Sequence, residues 1–384
     1  MKLRLGMIGG GEGSFIGAVH RIAARIDDEY ELICGVFSSK PDVSKKSGLS
    51  IGLPENRVYS TYQELIEKEK QLPANERVQV IGIVTPNNVH FGPAKLALEN
   101  GFHVILDKPM TLSLAEAKEL EKTVKATGNL FALTHTYTGY PMVKEAKQLV
   151  KSGKIGKVRK IYVEYPQGWL STFLEGNSDN KQAAWRADPA KSGIAGAMGD
   201  IGTHAFNLAE YVSGLQVTKI CADINIVVDD RKLDDDGGIL LKYNNGASGV
   251  LMASQIAAGE ENNIKVRVYG ERGSVEWQQC DANTLTVKWL DKPTEIYRTG
   301  GSYVSSYASH NTRVPAGHPE GYLEAFANIY RNFALTIKAH AAGQTPQPEW
   351  MDFPGIEEGV RGMAFIENAI ASGKSDIKWT DFKV

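Results

Sequence analysis

Two short segments of this chain carry residue types suited to acid–base chemistry. The first, Asp107-Lys108-Pro109, follows the apolar run Phe102-His103-Val104-Ile105-Leu106. The run reads as a buried parallel strand, and the carboxyl ends of such strands are where open α/β sheets bind ligands. Pro109 restricts the residue before it to extended geometry. Lys108 is therefore presented from a fixed backbone, from which an ammonium can polarise a hydroxyl or a carbonyl. On position alone it reads first as a solvated turn residue; the other segments lift it. The second segment, Gly199-Asp200-Ile201-Gly202-Thr203-His204, sets a carboxylate and an imidazole four residues apart, on one face of a helix that starts there. An imidazole oriented by a carboxylate can take a proton near neutral pH. No third ligand stands at metal spacing, so no metal is expected.

A third segment points to a cofactor. Gly9-Gly10-Gly11-Glu12-Gly13-Ser14-Phe15-Ile16-Gly17 lies between the strand Leu3–Ile8 and a helical stretch reaching Arg25. Glycines there allow a tight turn and close approach of backbone to a pyrophosphate, which the helix N-terminus stabilises. Gly9 and Gly11 take the first two positions of G-x-G-x-x-G. The third glycine, Gly17, comes late, which reads as a short insertion. Gly9, Gly11, Gly13, Ser14, Phe15 and Ile16 are the candidate phosphate-loop residues of an NAD- or NADP-binding site. The second strand ends Val36-Phe37-Ser38-Ser39-Lys40 without the acid that would select an unphosphorylated ribose. Ser38, Ser39 and Lys40 can donate to a 2′-phosphate, and the expectation leans to NADP.

These segments need elements to hold them. At 384 residues two domains are expected, 1–135 and 136–384. Strand-like and helix-like stretches alternate through the first, with strands at Leu3–Ile8, Leu32–Phe37, Val78–Val84, Phe102–Leu106 and Leu130–Thr134. That is the pattern of a doubly wound parallel sheet. Ser113 and Glu116 form a capping-box start to a helix over 113–127. Beyond residue 155 the strands Val158–Tyr165, Val217–Val228, Ile239–Tyr243, Ala247–Gln255, Ile264–Tyr269, Ser274–Trp277 and Leu285–Trp289 predict an antiparallel sheet. A Gly/Ser/Tyr-rich loop over 298–319 and two closing helices follow. Asp229-Asp230-Arg231-Lys232-Leu233-Asp234-Asp235-Asp236 is mixed in sign and reads as a solvated hairpin connection.

Lys+Arg of 43 against Asp+Glu of 45 leaves no basic surface for nucleic acid or an anionic membrane. Three scattered cysteines, Cys34, Cys221 and Cys280, fit free thiols in a reducing compartment. The first residues enter a strand directly, without an export-type apolar region, and no stretch approaches a membrane span. A cytoplasmic protein is expected.

With these segments the chain resembles the glucose–fructose oxidoreductase / inositol dehydrogenase (Gfo/Idh/MocA) family. The resemblance spans nearly the whole chain. It rests on the glycine turn, on Thr85-Pro86-Asn87 with His90 after the third strand, on the lysine–proline step and on the Asp-x-Gly-x-His segment. It implies a Rossmann-type parallel sheet, then an α+β domain with a large, mostly antiparallel sheet. It also implies NAD(P)-dependent oxidation of sugars or cyclitols, with Lys108, Asp200 and His204 as the catalytic set. Thr85, Pro86, Asn87, His90, Asp107 and Lys108 would stand at the cofactor, and the flat sheet face would make a homodimer or homotetramer. The family's usual Glu-Lys-Pro is here Asp107-Lys108-Pro109. Asn207 replaces a frequent aspartate, and Thr136-Tyr137-Thr138 replaces a frequent Asn-x-Arg, which leaves the particular substrate open.

Further candidates follow from position. Arg186 could bridge cofactor and substrate, and Trp185 beside it reads equally as packing. Tyr165 and Trp169 end a strand and could wall a sugar site, since aromatic faces suit sugar C–H surfaces; a β-turn with a buried tryptophan is as good a reading. His318 follows a long loop and could reach the substrate or cap the next helix. Two other function classes share the same signature: a glycoside hydrolase that uses tightly bound NAD for transient oxidation, and a catalytically silent nucleotide-binding regulator. Retention of Lys108, Asp200 and His204 argues against the silent class.

Overall fold

Alternating apolar strands and amphipathic helices over the first 135 residues build a five-stranded parallel sheet, seen in a computed structural model that describes residues 1–176 and 181–384. Its strands are β1 (Leu3–Gly9), β2 (Tyr30–Val36), β3 (Val80–Val84), β4 (His103–Leu106) and β5 (Phe131–Leu133), in the order β2-β1-β3-β4-β5. The direction of winding reverses between β1 and β3, and a crevice for a ligand opens at the carboxyl ends of strands at such a switch. The glycine turn leaves β1 there, and Thr85-Pro86-Asn87 leaves β3. Helix α1 (Phe15–Ile26) follows the turn, capped by Ser14, whose Oγ accepts from Gly17 N. Helices α2 (Pro41–Ser50), α3 (Tyr62–Gln71), α4 (Phe91–Glu99) and α5 (Leu114–Thr127) complete the alternation. Ser113 caps α5 through Glu116 N, as its spacing predicts.

The late third glycine has a clear reason. A Cβ on Gly17 would lie 2.3 Å from Gly10 Cα, so this glycine lets α1 pack directly on the turn. Close packing of helix on turn is what the third glycine of such turns provides.

The chain passes from one compact unit to the other between Thr136 and Tyr137 and later returns. One compact unit is Met1–Thr136 with Tyr322–Val360; the other is Tyr137–Gly321 with Arg361–Val384. A parallel sheet must be covered on both faces. In the first unit a late helix, Tyr322–Ala341, supplies Phe326, Ile329, Tyr330 and Phe333 to a core with Leu3, Leu5, Val19 and Val80. Each such buried side chain contributes about 1.5–3 kcal/mol. No local periodicity reveals that a helix so far along the chain packs there.

The second unit holds a nine-stranded sheet, which includes β6 (Lys160–Pro166), β7 (Val217–Asn225), β8 (Asp236–Tyr243), β9 (Ser248–Ser254) and β10 (Lys265–Tyr269). Buried and half-exposed residues alternate along β6, β9 and β10, as a sheet with one covered face requires. The sheet is mostly antiparallel, but β6 and β9 pair in parallel. The loop expected over 298–319 contains a short helix, Ser306–His310, and a strand over Glu295–Arg298 precedes it. The acidic run at 229–236 is not a solvated connection: Arg231, Leu233, Asp234 and Asp235 are buried. Among the described residues no helix is long and apolar enough to cross a membrane. The three cysteines are free thiols.

Gly17→Ala forces two backbone segments apart. It is expected to cost about 1–3 kcal/mol of unfolding free energy in urea titration and to weaken dinucleotide binding. Unchanged stability would mean that the turn yields easily.

Candidate active site

In the first unit the lysine segment is built around Asp107. Its Oδ1 accepts Lys108 N at 2.9 Å and Thr134 Oγ1 at 2.9 Å. Nε2 of the fully buried His20 lies 3.9 Å from the same oxygen, too far for a hydrogen bond. His20 Nδ1 sits 2.7 Å from Tyr330 Oη. Burial works against charge on Asp107, yet the His20 ring, the Lys108 ammonium and His90 outweigh it and hold the carboxyl well below the usual carboxylate range. Lys108 thus stands on a backbone pinned by its neighbour's charged side chain.

His90 pins the next bond. Its Nδ1 is 2.8 Å from Pro109 O and its Nε2 is 2.9 Å from Thr85 O, so the ring links the end of β3 to the cis Lys108–Pro109 step. Its nitrogens face backbone carbonyls, and burial lowers its pKa. His135, buried at the end of β5, is pushed down to about 3 by burial and by the Lys108 ammonium. It is neutral at pH 7.

The turn residues fit a dinucleotide. A Cβ on Gly9 would meet Val84 backbone at 2.8 Å, and one on Gly11 would meet Phe37 O at 2.5 Å. The turn therefore presents bare backbone at the switch point. Thr85 Oγ1 is buried there with no hydrogen-bond partner among the described residues, a hydroxyl left for a ligand. Gly13 has open space about it, and Phe15 is exposed. Ile16 packs into the core, Asn87 is buried and Pro86 is exposed. Ser38 is half-buried with its Oγ accepting Lys40 N, and Ser39 and Lys40 are exposed.

In the second unit Asp200 lies in a π-helical turn, Met198–Gly202, that runs into helix α6 (Thr203–Ser213), which carries His204. Such widened turns are common at functional sites. Asp200 Oδ2 accepts from Arg186 Nε at 3.3 Å and from Gln255 Nε2 at 3.0 Å. The Arg186 guanidinium lies 4.3 Å from the Trp185 ring centre and 6.0 Å from that of Trp169. His204 is buried against Tyr137, edge-on at 4.9 Å, with Tyr165 at 6.3 Å. The two tyrosine hydroxyls hydrogen-bond each other, Tyr165 Oη donates to Asn262 Oδ1 at 2.6 Å, and Gln167 joins Asn262 to Trp169 Nε1. Burial raises the Tyr137 hydroxyl to about 12, so it stays a neutral donor.

Asp200, His204, Arg186, Tyr165, Trp169 and Trp185, chosen from sequence, therefore gather in one cluster. His318 does not join it: exposed, it turns its Nδ1 to Pro315 O at 3.1 Å. Sequence reasoning missed Gln255 and Asn262 in this cluster and His20 beside Asp107; it names Tyr137 only within Thr136-Tyr137-Thr138 and reads His135 as a satisfied or solvated histidine. Each sits at a strand end or in a helix next to a motif, which is the available signal. None has a spacing of its own.

Residues 3–135 match the family model "Oxidoreductase family, NAD-binding Rossmann fold", and residues 143–276 match the "GFO/IDH/MocA C-terminal domain". Three solved structures are similar over nearly the full length. An oxidoreductase from Sinorhizobium meliloti is 42% identical at a TM-score of 0.89, covering 99% of each chain. An inositol dehydrogenase homolog from Azotobacter vinelandii, complexed with NAD+, is 31% identical at a TM-score of 0.93, covering 100% of this chain and 98% of that one. An inositol dehydrogenase homolog from the same organism, complexed with NADH and myo-inositol, is 29% identical at a TM-score of 0.90, with the same coverage.

A histidine kept neutral by folding, such as His135, lowers stability as pH falls below the unfolded value near 6.5, because only the unfolded chain then takes the proton. His135→Asn should be less stable than the parent at pH 7, with the gap narrowing by about 2 kcal/mol between pH 7 and pH 5. Denaturant titrations at both pH values measure this, and an unchanged gap contradicts it.

Proposed function

The chain belongs to the GFO/IDH/MocA family of NAD(P)-binding oxidoreductases, and on that footing we propose that it transfers a hydride between a nicotinamide dinucleotide and a secondary hydroxyl or carbonyl of a sugar, sugar derivative or cyclitol. The carrying observation is the cluster about Asp200. A carboxylate held by Arg186 and Gln255 lies one turn before a buried histidine, and tyrosines and tryptophans line the same cluster. Aromatic faces with hydrogen-bonding groups between them suit a polyhydroxylated ring.

When bound, the nicotinamide supplies the hydride acceptor or donor. Gly9, Gly11, Gly13 and Ser14 would hold the pyrophosphate, with Thr85 beside it. In the oxidation direction His204 takes the hydroxyl proton on a ring nitrogen, and Asp200 orients the ring and stabilises the imidazolium. Lys108 donates a hydrogen bond to the reacting oxygen and stabilises its developing negative charge. His135, neutral beside the lysine, adds no competing charge.

NAD is the cofactor named for both Azotobacter relatives. A preference for NADP in this chain rests on Ser38, Ser39 and Lys40 alone and is decided by titrating NADH and NADPH against the protein. We place the protein in the cytoplasm and expect a homodimer or homotetramer through the open face of the nine-stranded sheet.

A panel of sugars, cyclitols and glycosides with both cofactors tests the reading. Net growth of NAD(P)H absorbance with a sugar or cyclitol is expected. Glycoside cleavage without net cofactor turnover would support the hydrolase class instead. His204→Asn should lower kcat by about 10²–10⁴-fold, and Lys108→Ala by about 10²-fold or more. Full turnover in either variant contradicts the assigned roles.

A further inference from the structure

The acidic run at 229–236, buried at Arg231, Leu233, Asp234 and Asp235, has no part in the chemistry above, yet its contacts converge on the segment that carries it. Asp234 receives three consecutive backbone N–H groups from residues far away in sequence. Its Oδ1 accepts Gly196 N at 2.6 Å, its Oδ2 accepts Met198 N at 2.7 Å, and its own carbonyl accepts Ala197 N at 2.8 Å. These are the N–H groups at the entrance to the π turn, whose cap residue makes no side-chain cap hydrogen bond. A wide turn is a poor helix by itself, so its geometry depends on what holds its start. The fit is tight: a Cβ on Gly196 would lie 2.2 Å from Asp234 O.

The neighbouring residues secure the other sides of Asp200. Asp235 accepts Val227 N and Val228 N, each at 2.9 Å, and its carbonyl accepts Gln255 N at 2.8 Å. That places Gln255, whose side chain donates to Asp200. The buried Arg231 spans Asp235 and Glu175 and donates to Leu170 O and Thr172 O. It thereby fastens the loop that follows Trp169.

We propose that Arg231, Asp234 and Asp235 form a buried clamp that positions the acid–base segment, with Asp234 setting where Asp200 and His204 stand. This rests on the dehydrogenase reading for its catalytic consequence. Asp234 touches no reacting atom in this scheme; it is a positioning residue. Asn at 234 keeps the size of the side chain but turns one acceptor into a donor, which opposes one of the two N–H groups. Small displacements of catalytic groups are costly in rate.

Two readouts on full-length Asp234→Asn test this. Amide hydrogen exchange over 196–204 should quicken by about tenfold or more, with the first unit unchanged. With the wild-type substrate, kcat should fall by about tenfold or more while the cofactor KM stays within about twofold. Should Asp234→Asn fail to fold, Gly196→Ala presses the same junction with the carboxylate intact and is read the same two ways. Faster exchange with full kcat, or unchanged exchange, overturns the clamp. If the wild-type protein oxidises no sugar or cyclitol, it is the dehydrogenase reading that fails, and exchange alone decides whether Asp234 holds the segment.

Discussion

A carboxylate withdrawn from water keeps its charge only when donors or cations take up its lone pairs. That condition shapes both chemistry-bearing segments. In the first unit Asp107 meets it with the backbone N–H of Lys108, the Thr134 hydroxyl and the nearby His20 ring. In the second, Asp234 and Asp235 draw on backbone N–H groups, four to their carboxylates and two more to their carbonyls, and burial still raises the Asp234 carboxyl to about 6. Asp234's two bind the start of the turn that carries Asp200. In each case the hydrogen bonds that hold a buried carboxyl also fix the backbone beside Lys108 or ahead of Asp200. A reactive group held in this way loses little orientational freedom when substrate arrives, which is where much of an enzyme's advantage over solution originates.

The same condition explains how Asp107 holds the lysine step. Its side chain reaches its own successor's N–H and the hydroxyl of Thr134 on the adjoining segment. His90 then ties Pro109 to Thr85 from the other side. The lysine is held at both flanks, by a charge before it and an imidazole after it.

Much of the fold was legible because its signals are local. Apolar runs mark β1, β3 and β4, Ser113 and Glu116 mark the start of α5, and a run dense in glycine marks the turn between β1 and α1. The lysine step and the Asp–His pair were legible for the same reason. What escaped was set by long-range packing. Helix Tyr322–Ala341 returns to the first unit because a parallel sheet needs cover on both faces, and nothing in its own periodicity names its partner. The acidic run reads as solvated because its charges are mixed in sign; only the folded chain brings Glu175 to Arg231 and the N–H groups of 196 and 198 to Asp234. Gln255 and Asn262 have no motif, and they matter only through what the sheet sets beside them.

The reaction assigned to these residues is a hydride transfer, and isotope labelling follows the hydride itself. A sugar or cyclitol substrate found in the panel is prepared with deuterium on the carbinol carbon and turned over once with NAD+ or NADP+. Mass spectrometry of the recovered cofactor is the deciding measurement. Deuterium in the reduced nicotinamide, matching the amount of carbonyl product, is the predicted result. Consumption of the substrate with its deuterium retained in the product or lost to water, and none in the cofactor, would contradict it.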